Sequence, residues 1–203
     1  MATRAEIKER TREALLYAAL LEFAEHGLDG PSLDQICARA GKTRGAFYVH
    51  FADRDALIIA VVERILAEYL EALVRASAEA DGLHAAITVF ADLLIRATSG
   101  DAPDLGRFAV LGTVHFRFVL EAGARLPAAS EVFGRVVTAG VQMLAESATT
   151  GQRAGRVRTD LDPSETGHVL IAVLLGVLVF QQGGIEARVE SVRDTLLRLL
   201  SAP

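Results

Sequence analysis

A short polar run, Thr43, Arg44 and Gly45, has the residue types needed to hydrogen bond with the edges of DNA bases. A helix that enters the major groove needs a first turn without bulky apolar side chains. Arg44 can donate two hydrogen bonds to one guanine, and Gly45 lets the backbone approach closely. Tyr48 and His50 can each donate to a phosphate. These residues predict a nucleic-acid contact, and an ordinary surface location is the alternative.

Three flanking residues extend this predicted contact. Ser32 begins the preceding helix, where backbone N–H groups can meet a phosphate, and Lys42 and Arg54 add cations. The formal net charge of the chain is −5, but residues 35–54 hold four basic side chains against one acidic side chain. The positive field is therefore local, which is what a DNA contact requires.

The elements that position these residues are short helices joined by turns. Ser32 and Gln35 have the spacing of a capping box, and Thr43 and Asp53 can cap the next two helices. Apolar residues at helical spacing predict helices over residues 12–26, 32–40, 44–51 and 56–80. Two compact helices joined by a turn that contains Gly41 form a helix-turn-helix.

The remainder of the chain is predicted to be helical as well. Proline is sparse, and alanine, leucine and arginine, which favour helix, are among the commonest residues. The predicted helices cover residues 84–98, 104–122, 127–150, 163–182 and 186–200. The fold class is therefore all-α.

A longer pattern surrounds the polar run and has one fixed register. It consists of Ser32, Ile36, Ala40, Gly41, Thr43, Arg44, Gly45, Ala46, Phe47, Tyr48, His50, Phe51, Asp53, Arg54, Asp55 and Leu57. With the preceding helix, this pattern closely resembles the helix-turn-helix of the TetR family of transcriptional regulators. Lys42 departs from the family pattern, in which this turn position is usually apolar. Its stem can cover the small core while its ammonium reaches a phosphate.

The resemblance implies two all-helical domains. Residues 1–54 would form a three-helix DNA-binding domain, and residues 55–203 a larger domain for effector binding and dimerisation. The implied function is a repressor, acting as a homodimer, that a small-molecule effector releases from a palindromic operator in double-stranded DNA. No cofactor is expected.

The resemblance also places an effector cavity in the larger domain. Such cavities are mostly apolar with a few polar groups. The candidate contacts are Phe90, Phe108, Thr113, His115, Phe116, Arg117 and Phe118. For the aromatic residues among them, an ordinary helical core is the alternative.

The run of residues 169–180 is apolar on all sides, so a helix there needs burial on both sides. Together with the amphipathic last helix it can form a four-helix interface about a two-fold axis. The predicted interface residues are Val169, Leu170, Val173, Leu174, Val177, Phe180, Val192, Leu196 and Leu199.

Membrane insertion and secretion are not expected. The apolar run has 12 residues, which is too short to span a bilayer, so a buried helix is the better interpretation. The N-terminus lacks the apolar region of a secretory signal, and Cys37 is the single cysteine. A reducing, cytoplasmic compartment is therefore expected.

Two other function classes stay open. A helical dimer could bind a ligand without binding an operator, but the Thr43–Gly45 turn and the local positive charge argue against it. A helical enzyme is disfavoured because no nucleophile elbow, phosphate loop or dinucleotide fingerprint is visible. The five histidines are dispersed and form no His-x-x-x-His pair, so neither catalytic residues nor a metal site are expected.

Overall fold

The computed structural model describes residues 3–79, 82–99 and 113–202. These ranges are almost wholly helical, which confirms the predicted fold class, and their one β-bridge joins Val157 to Ser201. The helices are α1 (Arg4–His26), α2 (Leu33–Arg39), α3 (Arg44–Tyr48), α4 (Arg54–Glu79), α5 (Leu83–Ser99), α6 (Thr113–Arg125), α7 (Pro127–Arg153), α8 (Pro163–Gln182) and α9 (Val189–Leu200).

By packing, the chain divides into two compact units. The first contains Met1–Leu66 and Val114–Phe133, and the second contains Ala67–Thr113 and Gly134–Pro203. The first unit thus includes the start of α4, most of α6 and the first residues of α7, in addition to α1, α2 and α3. The boundary at residue 54 between a DNA-binding and an effector-binding domain concerns function rather than packing, and it stays a prediction.

Helix α1 begins two turns earlier than the sequence analysis predicted. Thr3 caps it: the Thr3 hydroxyl accepts from the Glu6 backbone N–H at 3.2 Å, and the Glu6 carboxylate accepts from the Thr3 N–H at 2.7 Å. This reciprocal pair satisfies two backbone donors that the helix cannot satisfy itself. The hydrophobic pattern used for the prediction begins only near Leu15, where α1 starts to be buried.

The core of the first unit is formed by α1 against α2, α3 and α4. The fully buried side chains include Leu15, Leu16, Leu20, Ile36, Phe47, Leu57, Val61 and Ile65. Helix α6 adds Phe118, whose ring stacks on that of Phe23 with 5.4 Å between centroids. Arg125, at the end of α6, donates to both carboxylate oxygens of Asp29 at 2.7 Å. The loop between α1 and α2 is therefore held from a distant part of the chain.

The second unit is built on α5, α7, α8 and α9. Its larger core cluster joins Leu83, Leu144, Leu170 and Leu200, among others, from these four helices. Helices α7 and α8 cross closely at Gly167, where an added Cβ would lie 2.5 Å from the Val141 carbonyl oxygen. Only a glycine allows this approach, so the crossing depends on that residue.

Helix α8 is longer than the apolar run that predicted it. It spans 20 residues, and by length and composition alone it could cross a membrane. The helix covers the predicted residues 163–182, with Asp162 as its cap, so the 12-residue apolar run is only part of it. The expectation that this run is too short to span a bilayer therefore does not apply to the whole helix. Within the single chain, 28% of the most apolar 18-residue stretch of this helix is buried. The predicted burial on both sides is not provided by this chain alone.

Candidate nucleic-acid interface

The turn between α2 and α3 is fixed by local hydrogen bonds. The Ser32 hydroxyl accepts from the Gln35 N–H, and the Gln35 side chain accepts from the Ser32 N–H, so the predicted capping box is present. Gly41 has a φ of 63°, a left-handed conformation that favours glycine. The next N–H, that of Lys42, donates to the Cys37 carbonyl at 2.9 Å. These bonds fix the direction in which α3 leaves the turn.

Helix α3 is anchored by one face and exposed on the other. Phe47 is fully buried and Phe51 is nearly so, with 5.5 Å between their ring centroids. The Thr43 hydroxyl caps the helix by accepting from the Ala46 N–H at 3.1 Å. The helix ends at Tyr48 rather than at Phe51, because the last residues turn more tightly.

The exposed face of α3 contains the residues predicted to contact DNA. Thr43, Arg44 and Gly45 are exposed at its first turn. Tyr48 is 57% exposed and Val49 is 64% exposed. Val49 was not among the residues predicted from the sequence. An exposed aliphatic side chain there can contact the methyl group of a thymine.

Gly45 leaves open space beside the helix. A Cβ built at this position would meet just the Thr43 hydroxyl oxygen, at 3.7 Å, which is ordinary contact. Within the protein, therefore, nothing requires glycine at this position. The space it leaves lies on the exposed face of α3.

Two basic residues counted toward the positive field are engaged within the protein. Arg39 donates to the carboxylates of Glu22 and Glu25 on α1, at 3.0 Å and 2.9 Å from Nη1. The guanidinium lowers the pKa of the Glu25 carboxyl through this hydrogen bond. Arg39 thereby fastens α2 to α1, and its charge is largely compensated.

Arg54, one of the predicted DNA contacts, is engaged within the first unit. Its guanidinium donates to the carbonyl oxygens of Leu28 and Pro31 and lies 5.3 Å from the centroid of the Phe23 ring. Residue 54 thus closes the loop between α1 and α2. The sequence analysis could not see this role, because the partners lie 23 and 26 residues earlier in the chain.

The remaining predicted contacts are available at the surface. Arg44 is exposed, and its Nε lies 3.2 Å from an Asp34 carboxylate oxygen in a pair that is itself exposed. Lys42 is half-buried, as a stem lying on the small core requires. An exposed ion pair contributes little to stability, so DNA can compete for the Arg44 guanidinium.

His50 is half-buried at the end of α3. Burial lowers the pKa of its imidazole first, and the charges of Lys8 and Arg12 lower it further, against a smaller opposing effect of Glu9. This lower pKa favours the neutral imidazole, which can donate one hydrogen bond without contributing charge. Lys8 and Arg12, to which the sequence analysis assigned no role, are thus close to the predicted interface.

Cys37 is buried beneath the interface, and burial raises the pKa of its thiol. A buried thiol that stays protonated is a poor nucleophile, so the residue serves the core. Within the described ranges no three His, Cys, Asp or Glu side chains are grouped as metal ligands would be.

The second unit contains an apolar cavity of about 60 Å³ between α5, α7, α8 and α9. Its lining is aliphatic apart from Arg193, which also pairs with Asp92 and Asp194. The volume admits a few water-sized groups and is well below the roughly 300 Å³ of a typical ligand site. A larger ligand would need these helices to separate.

The predicted effector contacts lie mostly elsewhere. Phe108 lies outside the described residues, and Phe90, Thr113 and His115 lie on described helices with side chains outside that description. Phe116 is half-buried and Arg117 is exposed. Phe118 belongs to the core of the first unit through its stacking on Phe23, as in the alternative of an ordinary helical core, and its role as an effector contact stays a prediction.

The predicted dimer residues come together along α8 and α9. Val173, Val177, Phe180, Val192 and Leu196 line one groove, and Val169, Leu170, Leu196 and Leu199 line another. Val169, Phe180 and Leu199 are more than half exposed in the single chain. Leu170 and Val177 are buried and can support such a surface only from behind, and Leu174 lines the inner cavity.

Comparison with known proteins connects this geometry to a family. Residues 15–61 match the family described as bacterial regulatory proteins, tetR family. This range covers the end of α1, the whole of α2 and α3, and the first turns of α4. It therefore contains the complete helix-turn-helix.

Relatives extend the match beyond this segment. The transcriptional repressor BepR of Brucella suis is 44% identical over 62 residues, which are 30% of this chain and 29% of BepR. The regulator UidR of Escherichia coli is 25% identical over 173 residues, which are 83% of this chain and 80% of UidR. The higher identity is thus limited to a stretch of 62 residues.

A solved structure matches nearly the whole chain. SmeT, the repressor of the Stenotrophomonas maltophilia multidrug efflux pump SmeDEF, superposes with a TM-score of 0.71 at 25% identity, over 94% of this chain and 90% of SmeT. SmeT has also been solved as a complex with triclosan. With the capped, exposed α3 and the helical second unit, these matches support a transcriptional regulator of the TetR family, and the family model itself matches residues 15–61.

Proposed function

We propose that this protein is a transcriptional repressor that binds a palindromic operator as a homodimer and leaves it when a small molecule binds. The proposal rests on the two faces of helix α3. Its buried rings fix it to the first unit, and its opposite face presents Thr43, Arg44, Gly45 and Tyr48 to solvent. No requirement of the fold explains this set of exposed residues, whereas insertion into a major groove does.

The exposed residues divide into base contacts and phosphate contacts. Arg44, at the first turn, reads a guanine with two hydrogen bonds, and Val49 can meet a thymine methyl. Ser32, Lys42, Tyr48 and His50 donate to phosphates and set the register without reading sequence. On this basis residues 1–54 bind DNA, while residues 55–203 bind the effector and dimerise.

The second copy of the chain covers the two grooves along α8 and α9. Val169, Phe180 and Leu199 are apolar and exposed in the single chain, which costs free energy in water. A two-fold axis through this surface brings the same residues of both copies together and buries them. A homodimer offers two α3 helices to the duplex, so we expect the operator to be an approximate palindrome.

The effector acts through its different affinity for two conformations of the dimer. An apolar molecule that enters the second unit must enlarge the small cavity beside Leu94 and Leu174. Helix α4 contributes residues to both units, so a shift of α4 can change the separation of the two α3 helices. Repression is the mode stated in the names of BepR and SmeT, and SmeT binds triclosan.

Arg44→Ala is expected to remove base discrimination while leaving the fold intact, because the side chain is exposed. Wild type should bind one palindromic stretch of the DNA flanking its own gene far more tightly than random DNA. The variant should lose about 1–3 kcal/mol of that preference, the value of one bidentate base contact. Fluorescence anisotropy titrations measure both affinities. Arg153→Ala, which removes an exposed charge on α7, is the matched control, and an equal loss in both variants would contradict the assigned role.

Gly45→Ala separates the needs of the fold from those of DNA binding. Alanine fits inside the protein and is favoured over glycine in a helix by roughly 0.5–1 kcal/mol, so thermal stability should stay equal or rise. If α3 lies against the DNA at Gly45, the added methyl should weaken operator binding. Gly134→Ala on α7 is the control, since its Cβ also meets open space. Unchanged operator affinity in Gly45→Ala would mean that the DNA does not approach this position.

Leu199→Glu is expected to convert the dimer into monomers. The side chain is 58% exposed in the single chain, so the subunit should keep its fold while a charge enters the interface. Sedimentation velocity and circular dichroism measure the two effects. Val74→Glu, at a 51% exposed apolar position on α4, should leave the dimer intact. A monomeric wild type, or a Leu199→Glu dimer as stable as that of wild type, would contradict the proposed interface.

A further inference from the structure

The first two turns of α1 extend beyond the core of the first unit. Residues Thr3 to Arg10 are all exposed, and the first buried side chain of α1 is Leu15. The Thr3–Glu6 capping box holds this segment as a helix from Arg4 onward. These two helical turns contribute no buried side chain to the core, so the packing of the first unit does not explain their presence.

Three cations lie along one side of this segment. Arg4, Lys8 and Arg12 are spaced four residues apart, so they lie on one face of α1, successively one turn apart. The same face continues into Leu15 and Ala19, which pack against the core. The three cations, here called the basic stripe, therefore lie on the same side of α1 as the residues that pack against the core, but beyond the end of that core. Arg10 lies on another side of the helix.

The stripe starts at the end of α3. The Arg12 guanidinium lies 5.7 Å from the centroid of the Phe51 ring, and the charges of Lys8 and Arg12 both act on His50. Lys8 and Arg4 then continue away from that point along the helix. The stripe thus begins beside Phe51 and His50, the residues that follow α3, and His50 is one of the proposed phosphate contacts.

The charges of the stripe remain available to a partner. Among the described residues, Arg4, Lys8 and Arg12 form no ion pair with a carboxylate, in contrast to Arg39 and Arg125. Glu9 is adjacent on the helix and partly offsets the field, while Glu13 pairs with Arg64. A regular row of cations beside a DNA-reading helix complements a row of phosphates, which also lie at regular intervals.

We propose that Arg4 and Lys8 bind the phosphate backbone of duplex DNA beside the groove that α3 enters. This inference rests on the proposed function and adds a second, sequence-independent contact to it. Phosphate contacts raise affinity for all sequences alike and steepen the dependence on salt. The stripe would therefore strengthen binding without altering which operator is chosen.

Lys8→Gln and its control Arg10→Gln test the assignment, because each removes one cation from an exposed position of the same two turns. The probe is a random-sequence duplex of about 30 base pairs, titrated at several salt concentrations. The slope of log K against log salt should become shallower by about 0.9 per subunit in Lys8→Gln and stay unchanged in Arg10→Gln. Adding Arg4→Gln to Lys8→Gln should double the change, and circular dichroism should show equal helicity throughout.

The possible results distinguish a failure of the phosphate assignment from a failure of the proposed function. If both single variants change the slope equally, the cations act through the overall field, and the phosphate assignment is overturned. A slope in Lys8→Gln equal to that of wild type also overturns it, although operator recognition by α3 would stand. If wild type binds neither this duplex nor DNA from its own locus in a salt-dependent way, the proposed function itself fails.

Discussion

The burial of Phe47 and Phe51 beneath α1 is the interaction on which the DNA-reading surface depends. Helix α3 has five residues, far fewer than an isolated helix needs to be stable in water. Its position therefore comes from the two buried rings and the Thr43 cap. Truncating one buried phenylalanine to alanine typically costs about 3–5 kcal/mol. Losing either ring would release the face that presents Arg44, whatever the chemistry of that side chain.

Charge in the first unit has two separate uses. Arg39 and Arg54 stabilise the packing of α2 and of the loop before it, through carboxylates and backbone carbonyls respectively. Arg44 lies at the surface and has only an exposed partner. The positive field at the interface is thus weaker than a count of basic residues over α2 and α3 suggests. The cations on the first turns of α1 restore part of it.

Features set by neighbours in sequence could be predicted, and those set by distant contacts could not. The Ser32–Gln35 box and the Thr43 cap are local, so α2 and the start of α3 were predicted correctly. The Thr3–Glu6 box was also readable, but an apolar pattern cannot reveal a helical segment with no buried face. The roles of Arg54 and Phe118 depend on partners far away in the chain, which no spacing rule can identify.

Protection of guanines from methylation by dimethyl sulfate on an operator fragment reports directly whether α3 lies in the major groove, because guanine N7 lies there. We expect two groups of protected guanines related by a two-fold axis and separated by about one helical turn, or by a multiple of it. Arg44→Ala should lose protection at one guanine in each half-site and retain the rest. If no guanine in the major groove is protected at protein concentrations that saturate the fragment, α3 does not read DNA and the account is contradicted.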